Sequence, residues 1–266
     1  MNEVDGGTFY VTKLNPIQYS DFIKIARTHD CGCVYPLSVA EGIQEGDIFT
    51  KSVDDLKTIL FWTQSGFAYL SGDIDESFLE DIYEIMMERN RTHKKRFILM
   101  SKNQYIDNYF MTKQDVCIEK RYLFEYQGDT INNDISLPSG YELKEIDNEL
   151  LTNISGSIVP SLFWKDANDF LKKGKGYCIC RGDDVAAWAF SAAVSTEEID
   201  IGIETNPRYQ QQGLGMIVAK RMIQYTFEQS KHPVWACHYK NIASAKMAEK
   251  LGFVKVSQCS VIKKDN

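Results

Sequence analysis

Two glycines one residue apart, Gly213 and Gly215, end a turn-rich stretch that starts at Thr205-Asn206-Pro207-Arg208 and runs through Gln210-Gln211-Gln212. A strand-like run, Glu198 to Glu204, precedes it, and a helix-like run, Met216 to Phe227, follows it. Such a turn builds an anion site. Glycines let backbone N–H groups approach a diphosphate closely, and the helix N-terminus adds about half a positive charge. The dinucleotide fingerprint needs a third glycine and the P-loop a Gly-Lys-Ser/Thr ending, and neither is present. In the strand-like run, Glu198, Asp200 and Glu204 alternate with Ile199, Ile201 and Ile203. One face is apolar and the other acidic. Such carboxylates either take protons from a bound ammonium or simply meet solvent. His238 ends the next strand-like run, Val234 to His238, and histidine is a residue type suited to moving protons.

Gln210-x-x-Gly213-x-Gly215 resembles the pyrophosphate loop of the GNAT superfamily, the acyl-CoA-dependent N-acyltransferases. A second block, Asn241-Ile242-Ala243-Ser244 through Leu251-Gly252-Phe253, is similar to that superfamily's closing segment. Order, spacing and the intervening strand agree. Tyr35 to Gly46, Gly174 to Cys178 and Trp235 to Asn241 further resemble the zwittermicin-A-resistance branch, which extends the likeness over most of the chain.

The resemblance implies acetyl-CoA (CoA) as cofactor. It assigns cofactor contacts to Ile203, Glu204 and Thr205, to Gln210, Gln211, Gln212, Gly213, Leu214, Gly215 and Met216, and to Asn241 and Ser244. The main chain at Thr205 would face the thioester. Asn241 suits both a cofactor hydrogen bond and the N-cap of the helix from Ile242. Glu198, Asp200 and His238 are the candidate general bases, with the strand carboxylates preferred. The family's last-helix tyrosine, which protonates the leaving thiolate, is replaced by Ala248, and Tyr239 is a possible substitute. The implied reaction is acetyl transfer to a primary amine of a small cationic substrate, such as an aminopolyol or an antibiotic-like amine in a resistance role. The alternative is a non-catalytic acyl-CoA sensor that kept the loop and lost the acid.

Composition fits this reading. The 266 residues are 44% hydrophobic and 25% charged, ordinary for a globular protein. A net charge of −7 argues against a nucleic-acid binder and against electrostatic attachment to membranes. No apolar run approaches the roughly 20 residues that span a bilayer. The acidic start, Met1-Asn2-Glu3-Val4-Asp5, lacks an apolar signal core, so the cytoplasm is the expected compartment. The seven cysteines suggest no disulfide scaffold. Cys178 and Cys180 share a strand face and read as buried small side chains. His29, Cys31 and Cys33 could supply metal ligands, but their spacing matches no common zinc pattern, and no metal is expected. A homodimer is a possible assembly.

The elements that hold these residues suggest an α/β (α+β) chain. The resemblance implies a GNAT-like, mostly antiparallel sheet flanked by helices over 129–266, preceded by a smaller mixed α/β domain at 1–128, which reads as a possible degenerate GNAT-like half without a cofactor loop. The polar stretch Gln127 to Asp134 is the boundary. In the second unit, Asn148 to Ser157 and Asp166 to Lys172 read as helices. Tyr177 to Arg181, Val185 to Val194 and Glu197 to Thr205 read as strands, and Phe253 to Lys263 as one or two more. Leu214, Val218, Met222 and Tyr225 form one helical stripe, and Ile242, Ala245, Ala248 and Leu251 another. In the first unit, Ile59 to Trp62 and Gly66 to Gly72 form a hairpin, Phe78 to Arg89 a helix, Phe97 to Met100 a short strand, and Cys117 to Tyr126 a longer one.

Overall fold

The computed structural model describes residues 11–52, 55–92, 96–132 and 135–265. The acidic N-terminus and part of the boundary stretch, Asn133 and Asp134, lie outside the described residues. The chain runs through one order of elements twice. The first pass is β1 (Thr12–Lys13), α1 (Ile23–Arg27), α2 (Val34–Ala40), β2 (Gly46–Ser52), β3 (Asp55–Thr63), β4 (Phe67–Gly72), α3 (Glu76–Thr92), β5 (Ile98–Ser101), α4 (Gln104–Met111) and β6 (Val116–Tyr126). The second is β7 (Glu142–Glu145), α5 (Asn148–Asn153), α6 (Ala167–Lys173), β8 (Gly176–Arg181), β9 (Asp184–Val194), β10 (Glu198–Thr205), α7 (Leu214–Glu228), β11 (His232–His238), α8 (Ile242–Leu251) and β12 (Phe253–Lys264).

The strands form one twelve-stranded sheet in the order β1-β2-β3-β4-β5-β12-β6-β11-β10-β9-β8-β7. Only β4/β5 and β10/β11 pair in parallel; the rest is antiparallel. The last strand of each pass crosses into the other: β12 lies against β5, and β6 against β11. The two then pair with each other over Phe253–Lys264 and Val116–Tyr126. This exchange makes the sheet continuous from one pass to the other.

Helix α7 buries Leu214, Val218 and Met222, as its stripe predicts, and also Ala219, Ile223 and Thr226. It packs on β8, β9 and β10, while α2 packs on β9, β10 and β3. The expected helix at Asn148–Ser157 stops at Asn153, because Ile154 turns to extended backbone and buries its side chain. Ile242 is 62% exposed rather than on the buried stripe of α8, because it sits at the helix's first position, past the end of β11. The closing segment is one strand with a register shift between Lys255 and Ser257, not two. Cys178 and Cys180 are buried, with sulfurs 3.6 Å apart.

Candidate active site

Strand β10 pairs with β11 only across Glu198–Asp200 and His232–Val234. A register shift follows between Asp200 and Ile201. Beyond it β10 continues along β9, and β11 along β6. The two parallel strands thus part beside Asp200. Parting strands leave backbone donors and acceptors facing each other, which an extended amide-containing ligand can pair.

The loop after β10 ends at an open helix N-terminus. Gln211 and Gly213 take the left-handed conformation, at φ 62° and 77°. Gly213 stands at the N-cap of α7, where no side chain caps the helix. Among the described residues, the N–H groups of Gly213, Leu214, Gly215 and Met216 find no acceptor. These are the orphan donors of a helix start, and a phosphate suits them. The neighbouring side chains are tied back. Gln210 Nε2 donates to the Thr205 carbonyl at 3.4 Å, and Tyr141 donates to Gln212 Oε1 at 2.7 Å. A Cβ on Gly215 would stand 3.0 Å from Thr205 Oγ1 and 3.1 Å from Met247 Cε, so α7 reaches β10 only because this residue is glycine.

Other candidate residues have protein partners. Asn241 caps α8, its side chain accepting from the Ser244 N–H at 3.1 Å, and Ser244 Oγ accepts from the Trp235 indole at 3.1 Å. Glu204 accepts from the Ile158 N–H at 2.7 Å and from Ser157 Oγ at 3.3 Å, so it is tied rather than freely solvated. Ile203 and Thr205 face α7, beside Gly215.

The carboxylates at the other end of β10 are not a solvated face. Asp200 is 4% exposed. Tyr35, from α2, donates its hydroxyl to Asp200 Oδ2 at 2.7 Å. Burial raises the Asp200 pKa, while the Arg121 charge and the Tyr35 hydrogen bond pull it back. Glu198 Oε2 accepts from the Cys33 thiol at 3.1 Å. Burial also raises the Glu198 pKa, with the Cys33 hydrogen bond opposing. Both groups line a cavity of about 220 Å³, together with Cys33, Tyr35, Tyr69 and Arg121. Tyr35 stacks on Tyr69 at 6.2 Å and meets Phe67 edge-on at 5.2 Å, so packing fixes its ring.

His238 is not among the residues that line this cavity. Its Nδ1 accepts from the Lys240 N–H at 3.2 Å, and its Nε2 lies 3.2 Å from Glu119 Oε2, off the angle for a hydrogen bond. Ala248 is fully buried, and Tyr239 is exposed beneath the Lys240 ammonium, 5.3 Å from its ring centre. The ligand atoms of His29, Asp30 and Cys31 lie within 4.8 Å of one another. However, His29 Nδ1 accepts from the Cys31 N–H at 3.1 Å, and its Nε2 stands 3.1 Å from the Leu70 carbonyl, which only a protonated nitrogen satisfies. The imidazole therefore keeps no free lone pair for a metal.

Sequence reasoning missed Tyr35, Tyr69 and Arg121, and it weighed Cys33 only as a metal ligand. All four come from the first pass of the chain. Tyr35 lies within the segment that carries the resistance-branch resemblance, the one sequence signal that pointed near it.

The family model described as "GNAT acetyltransferase" matches residues 29–262. The uncharacterized N-acetyltransferase YdfB of Bacillus subtilis (strain 168) is 26% identical over 228 residues, covering 84% of this chain and 87% of that protein. The fold is similar to a GCN5-related N-acetyltransferase-like protein from Streptococcus suis 89/1591, with a TM-score of 0.74, 22% identity, and 94% and 100% of the two chains covered. It is also similar to a tandem GNAT protein from the clavulanic acid biosynthesis pathway, with a TM-score of 0.63, 10% identity, and 95% and 96% covered. The chain therefore belongs to the GNAT acetyltransferase family and is an acyltransferase of the GNAT type.

Proposed function

We propose that the chain moves an acetyl group from acetyl-CoA to a primary amine of a small substrate. The observation that carries this reading is the placement of Asp200. It is a buried carboxylate with a raised pKa, beside the point where β10 and β11 part. Members of the family generally use acetyl-CoA, and the open start of α7 fits its diphosphate through the N–H groups of Gly213 to Met216. When bound, acetyl-CoA supplies the activated acyl thioester. The unpaired edges of β10 and β11 suit its amide arm. Asp200 accepts the proton that the substrate ammonium must lose before its nitrogen can attack. Tyr35 orients that carboxylate, and Glu198 draws the ammonium in. At position 248 no hydroxyl is present, so the thiolate leaves without help from that helix.

The first pass then has a defined part. Residues 1–128 read as a degenerate copy of the second half that keeps the order of elements and supplies Cys33 and Tyr35 to the amine pocket. The resemblance to the zwittermicin-A-resistance branch favours an aminopolyol or antibiotic-like amine, in the cytoplasm; among the described residues no helix is long and apolar enough to cross a membrane. The test is release of free thiol from acetyl-CoA over a panel of amines, with calorimetry of acetyl-CoA binding alongside. Acetyl-CoA binding with turnover of one amine supports the reading. Failure to bind acetyl-CoA at millimolar concentration removes it.

A further inference from the structure

The cavity holds one charge to which the protein gives no hydrogen bond and no close ion pair. Arg121 lies on β6, flanked by His238 of β11 and Cys259 of β12. Its guanidinium lines the cavity that Glu198 and Asp200 also line. Arginine carries five N–H donors in a rigid fork. Among the described residues, none of them has a hydrogen-bond acceptor, and no carboxylate stands within ion-pair distance. The guanidinium carbon stands 5.3 Å from the centre of the Phe67 ring.

The other charges around the cavity are either answered or, like Asp30 and Glu125, exposed. Glu198 has the Cys33 thiol and Asp200 the Tyr35 hydroxyl. At the rim, Arg27 pairs with Glu197 at 2.6 Å, and Lys102 donates to Ser257 Oγ at 2.8 Å. A cation held among protein atoms without hydrogen bonds is costly unless something pairs with it. Burial works against the Arg121 charge and the nearby Asp200 carboxylate favours it, and Arg121 stays protonated. Arg121 is only half-buried by area, and the cavity is where its fork can meet a ligand.

We propose that Arg121 binds an anionic group of the acceptor, a carboxylate or a phosphate, so that the substrate is an amine carrying its own negative charge rather than a polycation. This rests on the reading of the cavity as the amine site. The ammonium sits at Asp200 and Glu198, and the anion takes the planar fork of Arg121 in bidentate fashion. A substrate of nearly neutral net charge matches a cavity whose depth holds two acids and one unpaired base. The polycationic amine suggested by the acidic strand alone would meet Arg121 as a like charge.

The experiment uses matched pairs of amines: α-amino acids against their carboxamides, and phosphoethanolamine against ethanolamine. Thiol release from acetyl-CoA is measured for the wild type and for Arg121→Gln. The anionic member of an accepted pair is expected to exceed its partner by about 10²-fold or more in kcat/KM, because a site built for a polar group rejects the analogue that lacks it. Arg121→Gln should erase that ratio, chiefly through the KM of the anionic member; because the Arg121 charge also pulls down the Asp200 pKa, the ratio within a pair is the readout rather than either rate alone. Preference for uncharged or polycationic amines, or an unchanged ratio in Arg121→Gln, overturns the proposal. Thermal denaturation with the same amines reads binding without turnover. Wild type should be stabilised by the anionic members and Arg121→Gln should not; no stabilisation by any of them also overturns it. If Arg121→Gln does not fold, Arg121→Lys keeps the charge and loses the fork, and it must weaken the same preference. Calorimetry of acetyl-CoA separates the outcomes, since a chain that binds acetyl-CoA but ignores the anion fails only this inference.

Discussion

The two passes of the chain build the same helix start in two opposite ways. After β10, the connection to α7 runs from Asn206 to Gly213 and ends with an uncapped, left-handed glycine. After β4, the connection to α3 is only Asp73 to Asp75, and Asp75 Oδ1 accepts from the Phe78 N–H at 2.9 Å. Asp75 also accepts from Ser77 Oγ at 3.2 Å, and Lys51 pairs with it at 2.5 Å. The anion at the start of α3 is therefore its own side chain, while no side chain caps α7. The later helices do not differ in this way. Asn103 caps α4 and Asn241 caps α8, each through its side-chain oxygen. That parallel favours the capping role of Asn241, since α4 keeps the same device in the half without an open loop. One frame thus serves two tasks. The second pass keeps the open helix start, and the first turns Cys33 of its α1–α2 connection and Tyr35 of α2 onto the carboxylates of β10.

The sharpest way to break the contrast is to give α7 the carboxylate that α3 already has. Gly213→Asp places a negative charge at the open N–H groups. Aspartate tolerates the left-handed backbone better than most residues, and a Cβ there meets nothing within 4 Å, so folding should survive. Calorimetry is expected to show acetyl-CoA affinity falling by about 10²-fold or more, since the carboxylate both fills the cradle and opposes its field. Affinity within a factor of two of wild type would mean that the diphosphate binds elsewhere.

The next effect belongs to the first pass's partner at the carboxylates. Asp200→Asn should lower kcat/KM by about 10²–10⁴-fold with acetyl-CoA affinity nearly intact. The wild-type rate should rise with pH through the raised Asp200 pKa, and that acid limb should vanish in the variant. The stability consequence has the opposite slope. A carboxyl whose folded pKa exceeds its unfolded value, about 4, binds more protons when folded. Its contribution to stability is complete below that unfolded value and is lost as pH rises through the folded pKa. Asp200→Asn should flatten this fall, as read by denaturant titration at several pH values. An unchanged acid limb in Asp200→Asn sends the base assignment to Glu198, where Glu198→Gln gives the same measurement.

A smaller effect is expected from Tyr35→Phe, which keeps the ring packing and removes the donor to Asp200. Leaving a buried acceptor unpaired costs about 1–3 kcal/mol of stability. The hydrogen bond lowers the Asp200 pKa, so its loss should move the acid limb of the rate to higher pH. A profile that stays in place would show that the first pass does not tune the base.

The smallest effect is Asp75→Ala. It should cost about 1 kcal/mol through loss of the cap, without altering acetyl-CoA binding. Any change in that binding would show that the two helix starts communicate.

Much of the second pass was readable from residue order. The alternation from Glu198 to Glu204 gave a strand, Gly213 and Gly215 gave a helix start free of Cβ crowding, and Gly252 gave the left-handed end of α8. These are local signals, because backbone conformation and periodicity act over a few residues. The acidic face of β10 was legible as a face, but its burial was not. Whether Asp200 meets water depends on α2 lying across the strand, and the Tyr35–Asp200 hydrogen bond joins residues 165 positions apart. Arg121 carried no signal for the same reason. On β6 it is one charged residue in an alternating strand, and only the crossing of β6 to β11 brings it to the cavity.

The sequence alone determined the strand–loop–helix with its open helix start, the position of its glycines and the family, because each rests on neighbours in the chain. The tertiary structure alone decided that the final strands change places, that two of the β10 carboxylates are enclosed, and that Tyr35 and Arg121 join them. Those are contacts between distant segments, set by which strands pair and which helices cover them. No local pattern of residue types encodes a pairing between strands so far apart in sequence.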